Sequence, residues 1–257
     1  MGVDFAGTVA AVGKNVTRFK AGDEVFGGRD GAFAEFLSVG ENKALTLKPA
    51  NMTFEQAAAV PIAAITALQA LRDKGGIRPG QKVLINGAAG GVGTFAVQIA
   101  RSFGAEVTGV CSTRNVQLVG SIGANHVIDY TREDFTQGPQ HYDLILDTVG
   151  NRSLSELRRV LRPAGIVVGV GGPSTGKWIG PLAGLVKAMV YSPFVSQKFT
   201  FMLAQLNQKD LAVLRELMLS GKLTPVIDRR YRLSEVPAAI EYLEAGHARG
   251  KVVINLE

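Results

Sequence analysis

Hydrophobic and polar positions change their period along the chain, and the changes divide it. Residues 1–49 read as short strands and turns. Gly22-Asp23 signals a turn, Glu24-Val25-Phe26 begins a strand, and 32–37 carries aromatics on alternate positions, as a strand does. Residues 53–73 have a helical pattern. Thr53 followed by Gln56 has the form of a capping box, Pro61 splits the pattern, 63–72 continues it and Gly75-Gly76 ends it. From residue 82 strands and helices alternate: strand 82–86, helix 93–103, strand 106–111, helix 114–122, strand 125–129, strand 143–147, helix 153–161 and strand 165–170. This alternation predicts an α/β fold with a doubly wound parallel sheet and helices on both faces. Beyond it, 199–204 predicts one more strand. A helix follows over 208–220, apolar at Leu211, Leu214, Leu217 and Met218 and stopped by Gly221. A second helix is expected over 234–245, capped at Ser234, and Lys251–Asn255 closes the chain as a strand.

The first junction of the alternating region carries the chemistry. The apolar strand Val83-Leu84-Ile85-Asn86 runs into Gly87-Ala88-Ala89-Gly90-Gly91-Val92-Gly93, and a helix pattern follows. That order builds a dinucleotide pyrophosphate site. Glycines allow a tight turn and close backbone approach, and the helix N-terminus presents free N–H groups to the phosphates. Read as G-x-G-x-x-G, the positions are Ala88, Gly90 and Gly93, so alanine stands first.

The second strand, Glu106–Cys111, ends in Ser112-Thr113-Arg114-Asn115. A classical NAD site places Asp or Glu at that strand end, on the ribose 2′-hydroxyl. Here no carboxylate stands there to repel a 2′-phosphate, and Ser112 and Arg114 can bind one. The expected cofactor is therefore NADP(H). The competing reading makes Arg114 a solvated loop residue. Ligands of open α/β sheets bind at carboxyl strand ends, which places Thr148-Val149-Gly150 and Gly171-Gly172 toward the nicotinamide half.

Composition narrows the class. The chain has 257 residues, 46% hydrophobic and 19% charged, enough for one or two domains with a substantial core. A single cysteine, Cys111, excludes an internal disulfide and points to a reducing compartment, so a cytoplasmic location is expected. The start lacks a signal-peptide pattern, and Pro181, Lys187 and Pro193 interrupt the apolar stretch 178–195, which argues against a membrane span. Net charge is +6, but basic residues are scattered, with Arg229-Arg230 and Arg232 the densest group; nucleic-acid binding needs a concentrated stripe. Zinc is disfavoured by ligand count, because His126, His141 and His247 are far apart and only one cysteine is present.

Further pieces complete a pattern. They are Gly2-x-Asp4-x-Ala6-Gly7-x-Val9-x-x-Val12-Gly13, Gly22-Asp23-x-Val25-Phe26-Gly27, Gly31-x-Phe33-Ala34-Glu35-Phe36 and Pro61-x-x-x-x-Thr66-Ala67. After the glycine loop come Gly123-Ala124-x-x-Val127-Ile128-Asp129-Tyr130 and Gly246-His247-x-x-Gly250-Lys251-Val252-Val253. In this order, across nearly the whole chain, they resemble the medium-chain dehydrogenase/reductase superfamily, in its zinc-independent quinone oxidoreductase branch. The resemblance implies a partial GroES-like substrate domain over 1–60, an NADP-binding Rossmann domain over 61–222, and a segment 223–257 returning to the substrate domain. It implies NADPH as hydride donor and a quinone or α,β-unsaturated carbonyl as substrate. The implied cofactor-binding set is Thr66, Ala88, Ala89, Gly90, Gly91, Val92, Gly93, Ser112, Thr113, Arg114, Asn115, Tyr130, Thr148, Val149, Gly171 and Gly172. Ser112, Arg114 and Asn115 would hold the 2′-phosphate, Tyr130 would lie near the adenine ribose phosphate, and Thr148, Val149 and Gly171 would border the nicotinamide. No catalytic acid is assigned.

One departure stands out. The family's substrate domain normally begins well before the Gly-x-Asp-x-Ala-Gly motif, which here starts at residue 2. The expectation is a half barrel with unpaired strand edges and exposed apolar surface, binding NADPH but reducing substrate poorly. Three readings remain: a reductase, a non-enzymatic NADPH-binding or interaction protein, and a zinc alcohol dehydrogenase relative. A homodimer is expected, with 178–203 as a contact surface.

Overall fold

The computed structural model describes residues 1–170 and 196–256. It divides into two compact units, Thr66–Leu203 and the pair Met1–Ile65 with Ala204–Glu257.

Thr66–Leu203 holds six strands: β4 (Lys82–Asn86), β5 (Glu106–Cys111), β6 (His126–Asp129), β7 (Tyr142–Asp147), β8 (Leu161–Val170) and β9 (Lys198–Met202). They form one sheet in the order β6-β5-β4-β7-β8-β9, with every pairing parallel. Consecutive buried residues along β4, β5 and β7 show strands covered on both faces, as parallel sheets require. Leu84, Val110, Tyr142, Ile145, Leu157 and Val167 belong to the core around them. The chain runs outward from β4 to β6, returns, and runs outward again from β7 to β9. That reversal opens a crevice at the carboxyl ends of β4 and β7.

The helices of this unit are shorter than the sequence pattern predicts. A 3₁₀ turn, Thr113–Asn115, takes the start of the expected helix 114–122, and α4 proper is Val116–Ser121. The expected helix 153–161 is α5, Leu154–Arg159, and β8 already begins at Leu161. Pro163 explains this, because the residue before a proline is pushed out of the helical region into extended backbone.

The other unit holds the antiparallel sheet β1 (Asp4–Thr8), β2 (Glu24–Gly28) and β3 (Leu45–Leu47). Phe19, Val25 and Leu45 form its core. A parallel pair, β10 (Ile227–Arg232) with β11 (Lys251–Asn255), lies in the same unit. Two expectations fail here. Residues 32–37 form no strand among the described residues, although their alternation is real; a strand needs a ladder partner as well as a period. Ser234 caps no helix: it sits in a 3₁₀ turn, Leu233–Glu235, and α7 is Val236–Glu244 with Pro237 in its first turn, where proline is favoured. Strand β10 went unread because its arginines look like a basic cluster. In the fold Arg230 pairs with Glu55 at 2.8 Å and Arg229 stacks on Tyr242 at 3.8 Å, so two of these charges are already engaged.

Helix α1 (Phe54–Ala58) carries the capping box the sequence predicts: Gln56 N donates to Thr53 Oγ1 at 3.2 Å and Thr53 N to Gln56 Oε1 at 2.9 Å. Thr53→Ala removes one acceptor and is expected to cost about 1 kcal/mol of stability. Urea denaturation checks it; an unchanged midpoint would show the cap to be dispensable. Pro61 opens α2 (Pro61–Gln69), as expected of a proline that splits two helices. Helix α6 (Gln208–Leu219) stops at Gly221, whose φ is +69°.

Candidate functional site

The crevice is built from the ends of β4, β5, β6 and β7. Strand β4 leaves the sheet at Gly87, with φ +86°. The tight turn therefore falls on a glycine, one residue before the alanine the fingerprint puts first. Ala88 instead is fully buried, 3.0 Å from where a Cβ on Gly109 of β5 would lie. The amides of Gly87 and Ala88 both donate to Val110 O, at 3.2 and 3.0 Å, and Gly90 N donates to Gly87 O at 3.0 Å. Helix α3 (Gly93–Ser102) then starts directly against the turn. A Cβ on Gly93 would overlap Gly87 O and lie 2.8 Å from Gly87 C, so only glycine lets the helix come this close. Gly91, Val92 and Gly93 donate no backbone hydrogen bond among the described residues. Three free amides at a helix start form a cradle for an anion.

Across the crevice, β7 ends at Asp147. Its Oδ1 accepts from Asn86 Nδ2 at 2.9 Å, Val149 N at 3.1 Å and Gly150 N at 2.9 Å. Thr148 Oγ1 donates to Asn86 O at 2.8 Å. This network fixes the loop after β7 against the glycine turn; a side chain on Gly87 would strike Thr148 and Val149. Asn86 and Asp147 were missed in the sequence. Their signal was present, since each is a polar residue closing an apolar strand at its carboxyl end.

The β5 exit is a second cluster. Asn115 N donates to Ser112 O at 2.8 Å, and Asn115 Nδ2 to Ser112 Oγ at 3.2 Å. Thr113 and Arg114 are exposed. Asp129, at the end of β6, faces this turn: it accepts from Thr113 Oγ1 at 2.6 Å and from Thr131 N and Oγ1 at 3.0 and 2.8 Å. Arg132 lies 3.7 Å away. The Thr113 hydroxyl above all, with the Thr131 contacts, holds the Asp129 carboxyl below its ordinary range, while burial opposes. So a carboxylate does stand beside the strand end, supplied by the neighbouring strand rather than by β5. The sequence motif that contains Asp129 gave no sign of this, because only the β5–β6 register, Cys111 opposite Asp129, brings it there. Tyr130 is exposed, and its N donates to Cys111 O at 3.0 Å.

The structure thus brings Ala88–Gly93 together with Thr148 and Val149, and Ser112–Asn115 together with Asp129–Thr131. Thr66 is buried on α2. Gly171, Gly172 and 178–195 lie outside the described residues.

Cys111 is 3% exposed, and burial first, then the Asp129 charge, pushes its thiol up to about 11. At pH 8 only about one thiol in a thousand would be ionised, so the folded chain is expected to resist iodoacetamide. Mass spectrometry checks this; rapid alkylation without denaturant would contradict the burial. Among the described residues no group of three or more His, Cys, Asp or Glu could hold a metal ion. His126 lies 3.3 Å from Glu106 and His141 contacts Pro139 O. These residues do not fit a zinc centre. No helix among the described residues is long and apolar enough to cross a membrane.

A family model described as zinc-binding dehydrogenase matches residues 122–254, and one described as alcohol dehydrogenase GroES-like domain matches residues 1–50. The chain belongs to the medium-chain dehydrogenase/reductase superfamily, in its quinone-oxidoreductase-like branch. Among dehydrogenase/reductase relatives, the mitochondrial NAD(P)H oxidoreductase RTN4IP1 of Mus musculus is 36% identical over 284 residues, covering 100% of this chain and 70% of its own length. A 2-methylene-furan-3-one reductase of Solanum lycopersicum is 36% identical over 268 residues, covering 99% of this chain and 63% of its own length. The solved quinone oxidoreductase from Coxiella burnetii superposes with a TM-score of 0.85 at 32% identity, covering 100% of this chain and 79% of that one. The fold is accordingly a Rossmann-type parallel sheet with a GroES-like part, and the superfamily is one of oxidoreductases acting with nicotinamide cofactors.

Proposed function

We propose that this chain is an NADP(H)-dependent reductase that passes hydride to a quinone or an α,β-unsaturated carbonyl without zinc. The observation that carries the reading is the Gly87–Gly93 cradle: three free amides at the start of α3, packed so closely that a Cβ has no room. Gly91, Val92 and Gly93 would hold the pyrophosphate, with Ala88, Ala89 and Gly90 forming the turn. Ser112, Thr113, Arg114 and Asn115 would hold the 2′-phosphate, with Tyr130 at the adenine ribose. Thr148 and Val149, locked by Asn86 and Asp147, would border the nicotinamide, with Thr66, Gly171 and Gly172 completing the set.

Asp129 does not oppose this assignment. Its oxygens are engaged by Thr113 and Thr131, and Arg132 stands 3.7 Å from it. When bound, reduced nicotinamide supplies a hydride to an electron-poor carbon. The chain's part is to fix the cofactor ring beside the β7 loop. The relatives' names support the acceptor class: one is a quinone oxidoreductase, and the other reduces a compound whose methylene is conjugated with a ketone. We place the protein in the cytoplasm on its single buried thiol. Its substrate part would be 1–60 with 223–257 and its cofactor part 61–222, and a homodimer is the expected assembly.

The test uses NADPH carrying deuterium at its transferable position, with benzoquinone and with methyl vinyl ketone. The reading predicts consumption of NADPH and, for the enone, deuterium in the product. Tight NADPH binding with neither acceptor reduced would replace it by the second reading, a cofactor-binding protein of weak turnover.

A further inference from the structure

Strand β6 delivers a carboxylate to the exit of β5. Cys111, the last residue of β5, lies opposite Asp129, the last of β6. The two oxygens of Asp129 have separate donors. Oδ1 accepts from the amide and the hydroxyl of Thr131, two residues further along the same loop. Oδ2 accepts from Thr113 Oγ1 at 2.6 Å and, among the described residues, from no other hydrogen-bond donor. Arg132 Nε is 3.7 Å from Oδ2, beyond hydrogen-bond length, on a largely exposed side chain. The Thr113 and Thr131 hydroxyls lie 2.8 Å apart. The Thr131 contacts are local to the β6 exit. The Thr113 bond ties the carboxylate across to the β5 exit.

The chemistry of Oδ2 decides what can replace that bond. Asp129 is 9% exposed, and a carboxylate with so little water around it needs the donors it has. An ionised carboxylate only accepts. A ribose 2′-hydroxyl can donate to it, which is how a classical NAD site uses an acid at this strand end. A 2′-phosphate has no proton to offer at neutral pH and carries the same sign of charge. The acceptor that selects NADH is therefore present at this exit, and Thr113, an exposed residue of the turn itself, already serves it.

We propose that Thr113 sets the cofactor preference by acting through Asp129: its hydroxyl fills the acceptor position that the ribose 2′-hydroxyl of NADH would otherwise fill, and so keeps the β5 exit for a 2′-phosphate. The proposal rests on the NADP(H) reading and makes Thr113 a positioning residue within it.

The test is equilibrium titration of the full chain with NADPH and with NADH, followed by cofactor fluorescence, in five forms: wild type, Thr113→Ala, Thr113→Ser, Asp129→Asn and the double variant Thr113→Ala/Asp129→Asn. Thermal melts confirm that each is folded. Thr113→Ala frees Oδ2, so NADH should bind about three- to tenfold more tightly and NADPH should weaken by at least as much. Thr113→Ser keeps the hydroxyl and should keep both wild-type affinities. The double variant should show no gain for NADH over Asp129→Asn, because the charged acceptor is gone. A merely structural role for Thr113 would weaken both cofactors together and could not move them in opposite directions. With wild type preferring NADPH, an unchanged or weakened NADH in Thr113→Ala, or a gain that persists without Asp129, would overturn the proposal alone. A wild type with no preference for NADPH would overturn the NADP(H) reading, and the proposal with it.

Discussion

Gly93→Ala is expected to abolish measurable NADPH binding. The new methyl would overlap Gly87 O and press on Gly87 C and Ala88 Cα, at 2.8 and 2.9 Å. All three are backbone atoms of a turn pinned to Val110, so none can rotate away as a side-chain tip could. The start of α3 has to move off the strand end, and overpacking of this kind costs about 1–3 kcal/mol of stability. The larger effect is on binding. The amides of Gly91, Val92 and Gly93 are aimed by that same close packing, and losing their aim should raise the NADPH Kd about a hundredfold or more. Gly120→Ala is the control. It lies in α4, where a Cβ meets nothing within 4 Å, so alanine should leave binding unchanged and stabilise the helix by up to about 1 kcal/mol. Isothermal titration and thermal melts of both variants decide the matter. A Gly93→Ala chain that binds NADPH normally would remove the phosphate from this loop.

Arg114→Ala is expected to weaken NADPH about ten- to a hundredfold while leaving NADH unchanged. A charge-assisted hydrogen bond is worth about 1.5–3 kcal/mol, and only NADPH has the 2′-phosphate to accept it. The loss should shrink as salt is raised, because Arg114 is exposed and its attraction is screened. Competition binding at low and high salt checks it. An equal loss for both cofactors would mean that the substitution disturbed the β5 exit as a whole, and no loss would return Arg114 to solvent.

The sheet was legible because its signal is local. A run such as Val83-Leu84-Ile85-Asn86 into glycines fixes strand, turn and helix within a dozen residues, and the structure follows it. Helix ends were read less well where one proline decided them, as at Pro163 and Pro237. What the sequence could not show is what the register brings together. Asp129 meets Thr113 across 16 positions of chain, and Asn86 meets Asp147 across 61, through strand pairing alone. Segment 32–37 shows the converse: its period announces a strand, but ladder bonds come from a neighbour that a period cannot supply. The arginines of β10 misled for a related reason, since a charge pattern says nothing of the glutamate and tyrosine that engage Arg230 and Arg229.

The central claim, a site built for a 2′-phosphorylated dinucleotide, is tested most directly by paired equilibrium titrations of the full chain with NADPH and NADH at one ionic strength. The account predicts that NADPH binds at least about tenfold more tightly. Equal affinities, or a preference for NADH, would contradict it and would take the 2′-phosphate away from Ser112 and Arg114.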